Sequence, residues 1–394
     1  MARPVFRTGT FKGVDVHDAF AQAASQQEPV VIKLAPITWP DGLAPVTAPL
    51  GNYAPGTKIT GPLQAQADAL IILYTEPETQ ALLDVFTHNN AWTPARRQTW
   101  YGYAHNFDAF KGSIEGISGD EALEQGIFGY LSAMKIGSKT VVLYKTELHP
   151  KQNGPQLPFV PVLQQLISEL SPQLVISTGT AGGIGAKIQC GDVAIMEEAR
   201  FHVQGQYPKD PQINTLSTNR TLLADTVAFD PEYVNYAAEN LTQLSLPGLA
   251  QCYTKLQKLA GYSFVARPTQ ASSIYVTNQH PAPGPQPMAT VSADYLTVDD
   301  SNDSEGLQAL GIMNETDDAF VFYAISKLPG TPPKWLSVRN ASEPQIAGPP
   351  FPATDTPTQI VDALKSKAGN IYGIYQYCTT LNSAFACWGV VAGM

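Results

Sequence analysis

The chain has 394 residues, 44% of them apolar, and its 34 acidic and 24 basic side chains leave a formal net charge of −10. This composition excludes an intrinsically disordered or collagen-like protein. The acidic balance argues against nucleic-acid binding, which draws on a surplus of lysine and arginine. No apolar run of about 18 residues and no secretory leader is recognisable, so we expect a soluble, cytoplasmic protein without a membrane partner.

The four cysteines stand far apart and form no Cys-x-x-Cys pair. Neither a disulfide framework nor a zinc site is therefore indicated.

Residues 1–66 contain frequent proline and glycine with only short apolar runs between them. Such breakers predict an irregular N-terminal extension. The continuous apolar run at 69–74 then predicts a buried strand, and apolar residues at helical spacing follow it at 81–86. A strand followed by a helix indicates an α/β domain, which we expect to occupy residues 67–394.

Later segments continue this alternation. We predict a hairpin from 128–134 and 140–144, a helix at 159–170 and a strand at 173–177. Residues from about 205 to 290 are polar and proline-rich at both ends, which is typical of an insertion. A terminal helical region is expected at 356–391.

The densest glycine cluster of the chain, at 178–185, directly follows the predicted strand. Glycine has no Cβ, so such a loop lets backbone N–H groups approach an anion or a sugar, although a tight turn between strands also explains it. A phosphate loop of the Gly-Lys-Ser/Thr type is excluded, because Ile188 stands where the hydroxyl residue belongs.

A short-chain dehydrogenase also has such a glycine pattern, with a downstream Tyr-x-x-x-Lys pair like Tyr323 and Lys327. Its loop must open a long helix, whereas Gly191 and Asp192 stop any helix here after one turn. Tyr323 and Lys327 are more simply one face of a helix.

A more specific resemblance rests on several segments in a fixed order. Residues 175–183 (Val-Ile-Ser-Thr-Gly-Thr-Ala-Gly-Gly), 191–193 (Gly-Asp-Val) and 197–202 (Glu-Glu-Ala-Arg-Phe-His) resemble a signature of the purine nucleoside/uridine phosphorylase superfamily, most closely its methylthioadenosine/S-adenosylhomocysteine nucleosidase branch. Three further parts resemble its first strand with an acidic loop, its base-binding segment and its two late segments: 71–78 (Ile-Ile-Leu-Tyr-Thr-Glu-Pro-Glu), 291–296 (Val-Ser-Ala-Asp-Tyr-Leu), and 312–315 (Ile-Met-Asn-Glu) with 337–343 (Ser-Val-Arg-Asn-Ala-Ser-Glu).

The resemblance covers about residues 67–345. It implies a three-layer αβα fold with a mixed central sheet, to which this chain adds the N-terminal extension and the insertion near 205–290. It also implies a small-molecule nucleoside as ligand, no metal or organic cofactor, and a homo-oligomer.

The chemistry implied by the resemblance is hydrolysis of the N-glycosidic bond of a purine nucleoside or a related nucleoside. Such a reaction needs a proton for the departing base, stabilisation of a cationic sugar and an activated nucleophile, and carboxylates can supply all three. Glu343 matches the family's acid, which is an aspartate there. Glu315 matches the glutamate that grips the ribose, and Glu78, with Glu76 as its competitor, matches the glutamate that orients or deprotonates water.

The same resemblance implies a set of substrate-binding residues. Those that would contact the sugar, the base or the neighbouring backbone are Thr180, Ala181, Gly182, Asp294, Tyr295, Leu296, Met313, Asn314 and Ser342.

Positive charge separates hydrolysis from phosphorolysis, because the family's phosphorylases hold phosphate with arginines. One of these positions is Ser177 here, and the loop 75–80 contains no lysine or arginine, so water is the expected nucleophile. Phosphorolysis is one alternative. The other is a catalytically weakened nucleoside-binding or storage-like relative, because glutamate replaces aspartate at Glu343.

Overall fold

The computed structural model describes residues 16–87, 99–114, 121–149, 158–185, 187–202, 221–223, 226–259, 272–277, 286–293, 307–344 and 354–394. Its longer helices are α1 (Val16–Ser25), α2 (Glu76–Thr87), α3 (Phe159–Leu170), α4 (Pro231–Tyr236), α5 (Leu246–Gln257), α6 (Thr316–Ser326) and α7 (Pro357–Gly393). Short helical turns lie at Phe107–Phe110 and Glu121–Glu124, and a π-helical and a 3-10 turn connect α4 to α5.

The strands are β1 (Val46–Ala48), β2 (Lys58–Ile59), β3 (Ala69–Leu73), β4 (Tyr101–Tyr103), β5 (Gly129–Ile136), β6 (Lys139–Thr146), β7 (Leu174–Gly183), β8 (Val193–Met196), β9 (Glu198–His202), β10 (Thr221–Leu223), β11 (Ile274–Val276), β12 (Ala289–Ala293), β13 (Met313–Asn314) and β14 (Lys334–Pro344). They form one mixed sheet with the central order β10-β9-β12-β13-β7-β3-β6-β5-β4-β2. Of the remaining strands, β14 pairs with β7 and β8, β11 with β8, and β1 with β5.

Helices cover both faces of this sheet. Ala69, Ile71 and Leu73 of β3 lie in a core with α2, α4, α5 and α7. The alternate residues, Leu70 and Ile72, lie in a second core with α3 and α6. Because successive side chains of a strand point to opposite faces, the apolar run of β3 feeds both cores. The predicted αβα arrangement with a mixed sheet is confirmed.

Strand β7 divides the sheet at its centre. It pairs with β14 along its whole length, Leu174 to Gly183. On its other edge, residues 174–177 pair with β3 and residues 182–183 pair with β13. Among the described strands, none lies against residues 178–181 on that edge. We call this opening between β3 and β13 the β7 fork.

The prediction that this strand ends at residue 177 is wrong. The glycine cluster continues as strand to Gly183, because β14 provides backbone partners for it. The chain then leads to β8. A helix does not follow the glycines, which contradicts the dehydrogenase interpretation. Lys327 places its ammonium over the Tyr323 ring at 5.3 Å, as expected of one helix face.

The N-terminal extension contains regular structure that its composition did not predict. It forms α1, and its short strands β1 and β2 join the sheet beside β5 and β4. The predicted terminal helical region is one helix, α7, of 37 residues. Neither α7 nor any other helix in the described ranges is long and apolar enough to cross a membrane.

The extension is bound to α7 by backbone and aromatic contacts. The indole N–H of Trp388 donates to the carbonyl oxygen of Leu43 at 2.9 Å, and its ring lies 4.8 Å from that of Trp39. Nearer the start of the extension, the backbone N–H of Val30 donates to the carbonyl oxygen of Ile374 in α7. Trp388 is fully buried, so it joins the extension to the first core.

We expect Trp388→Ala to lower the free energy of unfolding by about 3–5 kcal/mol, because a large buried side chain and its hydrogen bond are lost together. Urea unfolding followed by far-ultraviolet circular dichroism measures this change. Val31→Ala is the control, since Val31 is 58% exposed in the same extension and should change stability by less than about 0.5 kcal/mol. Equal stability of the two variants would contradict the proposed anchoring.

Candidate functional site

The predicted acidic residues meet at one edge of the sheet. Strands β3 and β14 both run parallel to β7. The carboxyl ends of the three strands therefore lie at the same end of the sheet. Glu78 follows β3, and Glu343 lies near the end of β14. Glu315 directly follows β13, which ends beside β7. Ligands of open α/β sheets bind at such carboxyl ends.

Glu78 closes one side of the β7 fork. Its Oε1 accepts from the backbone N–H and the hydroxyl of Thr180, at 2.8 and 2.7 Å. Its Oε2 accepts from the backbone N–H groups of Thr75, at 2.9 Å, and Tyr74, at 3.3 Å. A carboxylate offers about four acceptor positions. Protein donors therefore occupy Glu78, and Thr180 directs both of its donors to Glu78.

Gly179 and Gly182 differ in why glycine stands there. Gly179 has φ +134°, and a Cβ on it would overlap the Glu78 carboxyl. A Cβ on Gly182 would meet its nearest described neighbour, the Cβ of Asn314, at 3.8 Å, an ordinary contact. The close approach of Glu78 to β7 thus requires glycine at 179, whereas at 182 there is room for a side chain in this structure.

Glu343 lies opposite Gly182 on the other edge of β7. The register of the β14–β7 pair shifts between Ala341 and Glu343, so Ser342 has no partner in that register. The Ser342 hydroxyl donates to Oε2 of Glu343 and also approaches the carbonyl of Ala181 at 3.5 Å. Such a local irregularity re-aims a side chain. Glu343 is 8% exposed at the edge where the site lies.

Glu315 is the N-cap of α6, where its side chain accepts from the backbone N–H of Asp317 at 3.3 Å. Asn314, just before it, pairs with Gly182. Gly182 is therefore flanked by Glu343 on β14 and by Asn314 on β13. Met313 is fully buried in an apolar cluster that also contains Ala181, which favours a packing role for it.

A buried ion pair closes the other side of the fork. Asp318 accepts from Nη2 and Nε of Arg339, at 2.6 and 3.0 Å, and from the hydroxyl of Ser337 at 2.6 Å. Nη1 of Arg339 donates to the carbonyls of Thr178 and Thr180, each at 3.3 Å. Arg339 is 1% exposed. Its bonds to the two carbonyls take the place of the missing strand, and they leave the guanidinium of Arg339 occupied.

The electrostatics of Arg339 agree with this role. Burial by itself lowers its pKa, but the negative charges of Asp318 and Glu315 outweigh burial and hold the pKa well above its usual range. The ring of Tyr74 lies 5.2 Å from the guanidinium. Arg339 therefore stays charged, and its guanidinium bonds to groups of the protein itself.

Tyr372 of α7 also reaches the site, and the sequence analysis did not identify it. Burial and the charges of Glu78 and Glu343 raise its pKa, while side-chain hydrogen bonds with Thr75 and Thr180 oppose that rise. Tyr372 lies 29 residues after Glu343 in a helix whose pattern shows only core packing. No sequence signal connects the two positions.

Three predicted residues, Asp294, Tyr295 and Leu296, lie outside the described residues. Within the described ranges, no group of three or more His, Cys, Asp or Glu side chains is arranged to hold a metal ion.

The family model of the phosphorylase superfamily matches residues 119–253. The resemblance seen in the sequence is thereby confirmed over this stretch. This stretch contains β7, but Glu78, Glu315 and Glu343 lie outside it.

Several solved structures are similar to the chain. A 5'-methylthioadenosine/S-adenosylhomocysteine nucleosidase from Neisseria meningitidis is 14% identical, with 82% of this chain and 99% of that chain covered and a TM-score of 0.41. The futalosine hydrolase of Helicobacter pylori is 12% identical, with 82% of this chain and 97% of that chain covered and a TM-score of 0.42. The 5'-methylthioadenosine nucleosidase of Arabidopsis thaliana is 13% identical, with 78% of this chain and 93% of that chain covered and a TM-score of 0.35.

Asp192, in the Gly-Asp-Val segment, ties β8 to β11 near the site. Its carboxylate accepts from the backbone N–H groups of Gln189 and Ser273, each at 3.0 Å, and from the Tyr275 hydroxyl at 3.4 Å. Burial raises the pKa of Asp192 to about 6 although these donors oppose the rise.

This shift predicts a pH-dependent stability. An unfolded aspartate has a pKa near 4, so between about pH 4 and 6 the folded protein binds more protons than the unfolded chain. As the pH rises from about 4 to 6, the free energy of unfolding of the wild type should fall by roughly 2–3 kcal/mol relative to that of Asp192→Asn. Above about pH 7 the difference between the two proteins should be constant. Urea unfolding of both proteins at several pH values measures it, and parallel profiles would contradict the shift.

The two glycines give a second stability prediction. Gly179→Ala should cost about 1–3 kcal/mol or more, because the new Cβ adds backbone strain to its overlap with Glu78. Gly182→Ala, which changes the same atoms on the same strand, should stay within about 1 kcal/mol of wild type. Thermal unfolding of both variants measures the contrast. A loss as large for Gly182→Ala as for Gly179→Ala would show that the fork is not the cause.

Proposed function

We propose that the protein hydrolyses the N-glycosidic bond of a purine nucleoside or a related nucleoside. The observation that carries this proposal is the placement of three carboxylates around the end of β7. Glu343 and the Asn314–Glu315 segment lie on either side of Gly182, and Glu78 is bonded to Thr180 two residues earlier. Carboxylates at such positions match the needs of glycosidic cleavage, namely a proton donor, a counter-charge and a base.

In the proposed reaction, Glu343 protonates the departing base while the bond between C1′ and the base nitrogen breaks. The Ser342 hydroxyl, which donates to Glu343, fixes the orientation of that carboxyl. Glu315 accepts from the ribose hydroxyls, and its charge lies near the positive charge that develops on the sugar. Water attacks C1′ and passes its proton to Glu78.

The Thr180 hydroxyl has a defined part in this proposal. Of the groups that donate to Glu78, it is a rotatable side-chain donor, whereas the others are backbone N–H groups. Rotation of the hydroxyl away from Glu78 frees one acceptor position for the attacking water. The backbone bonds hold the carboxylate in place meanwhile.

Water is favoured over phosphate as the nucleophile because the guanidinium at the fork is already engaged. Arg339 is buried between Asp318 and the carbonyls of β7. The loop 75–80 also contains no lysine or arginine. A dianionic phosphate would find no arginine free to bind it at these two positions.

Phosphorolysis and nucleoside binding without cleavage are the alternatives. The occupied acceptor positions of Glu78 and the glutamate at 343 favour a weakened, nucleoside-binding relative. The predicted homo-oligomer and cytoplasmic location stay predictions.

Release of free base from inosine, adenosine, methylthioadenosine and uridine, with and without phosphate, tests the proposed function. We expect release without phosphate, and a loss of about 10²–10⁴-fold in kcat for Glu343→Gln, because a positioned acid contributes about that much. Glu232→Gln, at an exposed helix start, is the matched control and should retain activity.

Two outcomes would replace this proposal. Release that requires phosphate would establish phosphorolysis. Nucleoside binding by calorimetry without release of any base would establish a binding protein.

A further inference from the structure

Three consecutive backbone carbonyls of β7 accept hydrogen bonds from two neighbouring side chains of β14. Arg339 donates to the carbonyl oxygens of Thr178 and Thr180, each at 3.3 Å. The side-chain amide of Asn340 donates to the carbonyl oxygen of Gly179, which lies between them, at 2.8 Å. Successive side chains of a strand point to opposite faces of the sheet, here toward α6 and toward α7. This part of β7 is therefore held from both faces.

The amide of Asn340 is itself oriented by two hydroxyls of α7. Its nitrogen lies 2.9 Å from Oγ of Ser383 and 3.3 Å from Oγ1 of Thr380. Both hydroxyls donate to carbonyl oxygens of α7, Thr380 to that of Gln376 at 2.7 Å and Ser383 to that of Thr380 at 3.1 Å. They are therefore acceptors toward Asn340, and the nitrogen side of the amide faces them. Asn340 and Ser383 are fully buried, so solvent does not compete for these contacts.

One peptide group connects Asn340 to Glu78. The carbonyl of Gly179 and the N–H of Thr180 belong to the same planar unit. The oxygen of this unit accepts from Asn340 at 2.8 Å, and its N–H donates to Oε1 of Glu78 at 2.8 Å. A hydrogen bond accepted by a peptide carbonyl polarises the unit and strengthens the bond that its N–H donates. Asn340 and Glu78 thus hold the two ends of one rigid group.

Glycine at 179 explains why such a support is needed. The close approach of Glu78 excludes a Cβ there, and Gly179 has φ +134°. Without a Cβ, the dihedral angles of this residue are little restricted, so glycine by itself does not fix the orientation of the peptide that follows it. The amide of Asn340 supplies the missing restriction at the carbonyl end of that peptide.

We propose that Asn340 is a positioning residue of the site: through the peptide between Gly179 and Thr180, it keeps the carboxylate of Glu78 in the orientation that receives the proton of the attacking water. This inference rests on the proposed function, in which the Thr180 hydroxyl turns away from Glu78 while the backbone bonds remain. It adds Asn340 and, behind it, Ser383 of α7 to the support of the proposed base.

The chain offers a matched control in Asn382 of α7. Its amide donates to the carbonyl oxygen of Gly191 at 2.8 Å, and Asn382 is 0% exposed. Asn340→Ala and Asn382→Ala therefore each remove a buried amide that donates to a glycine carbonyl. In the control, the N–H of the same peptide belongs to Asp192 and donates to the carbonyl of Gln189, which is no carboxylate of the proposed site.

The experiment compares kcat and KM for base release in wild type and the two variants. We expect Asn340→Ala to lower kcat by about five- to tenfold, because one orienting hydrogen bond is lost, and to change KM by less than about twofold. Asn382→Ala should keep both constants within about twofold of wild type, although it unfolds at a lower temperature. A wild-type kcat in Asn340→Ala, or equal losses in the two variants, would overturn the positioning role.

Ser383→Ala keeps Asn340 but removes one acceptor of its amide, so it provides the test if Asn340→Ala does not fold. Its kcat should fall in the same direction by less, again with little change in KM. An unchanged kcat in Ser383→Ala, in the absence of a folded Asn340→Ala, would count against the inference.

The inference is separable from the proposed function. If wild type releases no base, the function fails, and the amide proton resonances of 15N-labelled protein still test Asn340. The resonance of an amide proton moves upfield when its hydrogen bond weakens. The Thr180 resonance should therefore move upfield in Asn340→Ala and stay in place in Asn382→Ala, which should move the Asp192 resonance instead. A Thr180 resonance that is unmoved in Asn340→Ala, or that moves equally in both variants, would overturn the inference.

Discussion

The buried pair of Arg339 and Asp318 holds the centre of this molecule together. A strand with no neighbour over several residues leaves backbone groups that must find partners away from water. Arg339 bonds to the carbonyls of Thr178 and Thr180 in the β7 fork, and Asp318 neutralises it. Because Asp318 lies in the first turn of α6, the same contact fixes the N-cap residue of that helix, Glu315. Removing one partner of a buried pair usually costs about 3–5 kcal/mol, so the sheet and the site share one support.

On the other side of the fork, Glu78 accepts hydrogen bonds from the backbone N–H and the hydroxyl of Thr180. A carboxylate that already bonds to Thr75 and Thr180 is well oriented but has little capacity left for a ligand. In the proposed reaction, substrate and water must therefore compete with the protein's own hydroxyls. Orientation is secured before the ligand arrives, and the rearrangement is confined to side-chain rotation about Thr180. Backbone structure at the fork can stay unchanged during a turnover.

The sequence predicted those parts of the fold that depend on local pattern. The apolar run of β3, the hairpin of β5 and β6, and helix α3 follow from composition and periodicity within a dozen residues. Segment resemblance also placed Glu78 and Glu343 at strand ends that meet. The continuation of β7 through its glycines was not predictable, because its partner β14 begins about 150 residues later. Tyr372 was missed for the same reason, since the packing of α7 in the first core brings it to the site.

The contacts between the extension and α7 also bear on how the molecule is formed. Gln27 and Asn370 are separated by 343 positions along the chain, and Leu43 and Trp388 by 345. Closing so long a segment has an entropic cost, and topologies rich in distant pairings fold slowly. The sheet can assemble from nearer partners first, with α1 and α7 docking last. During that interval the sheet would be compact, while the amide of Asn340 in β14 would still lack its partners Thr380 and Ser383 on α7.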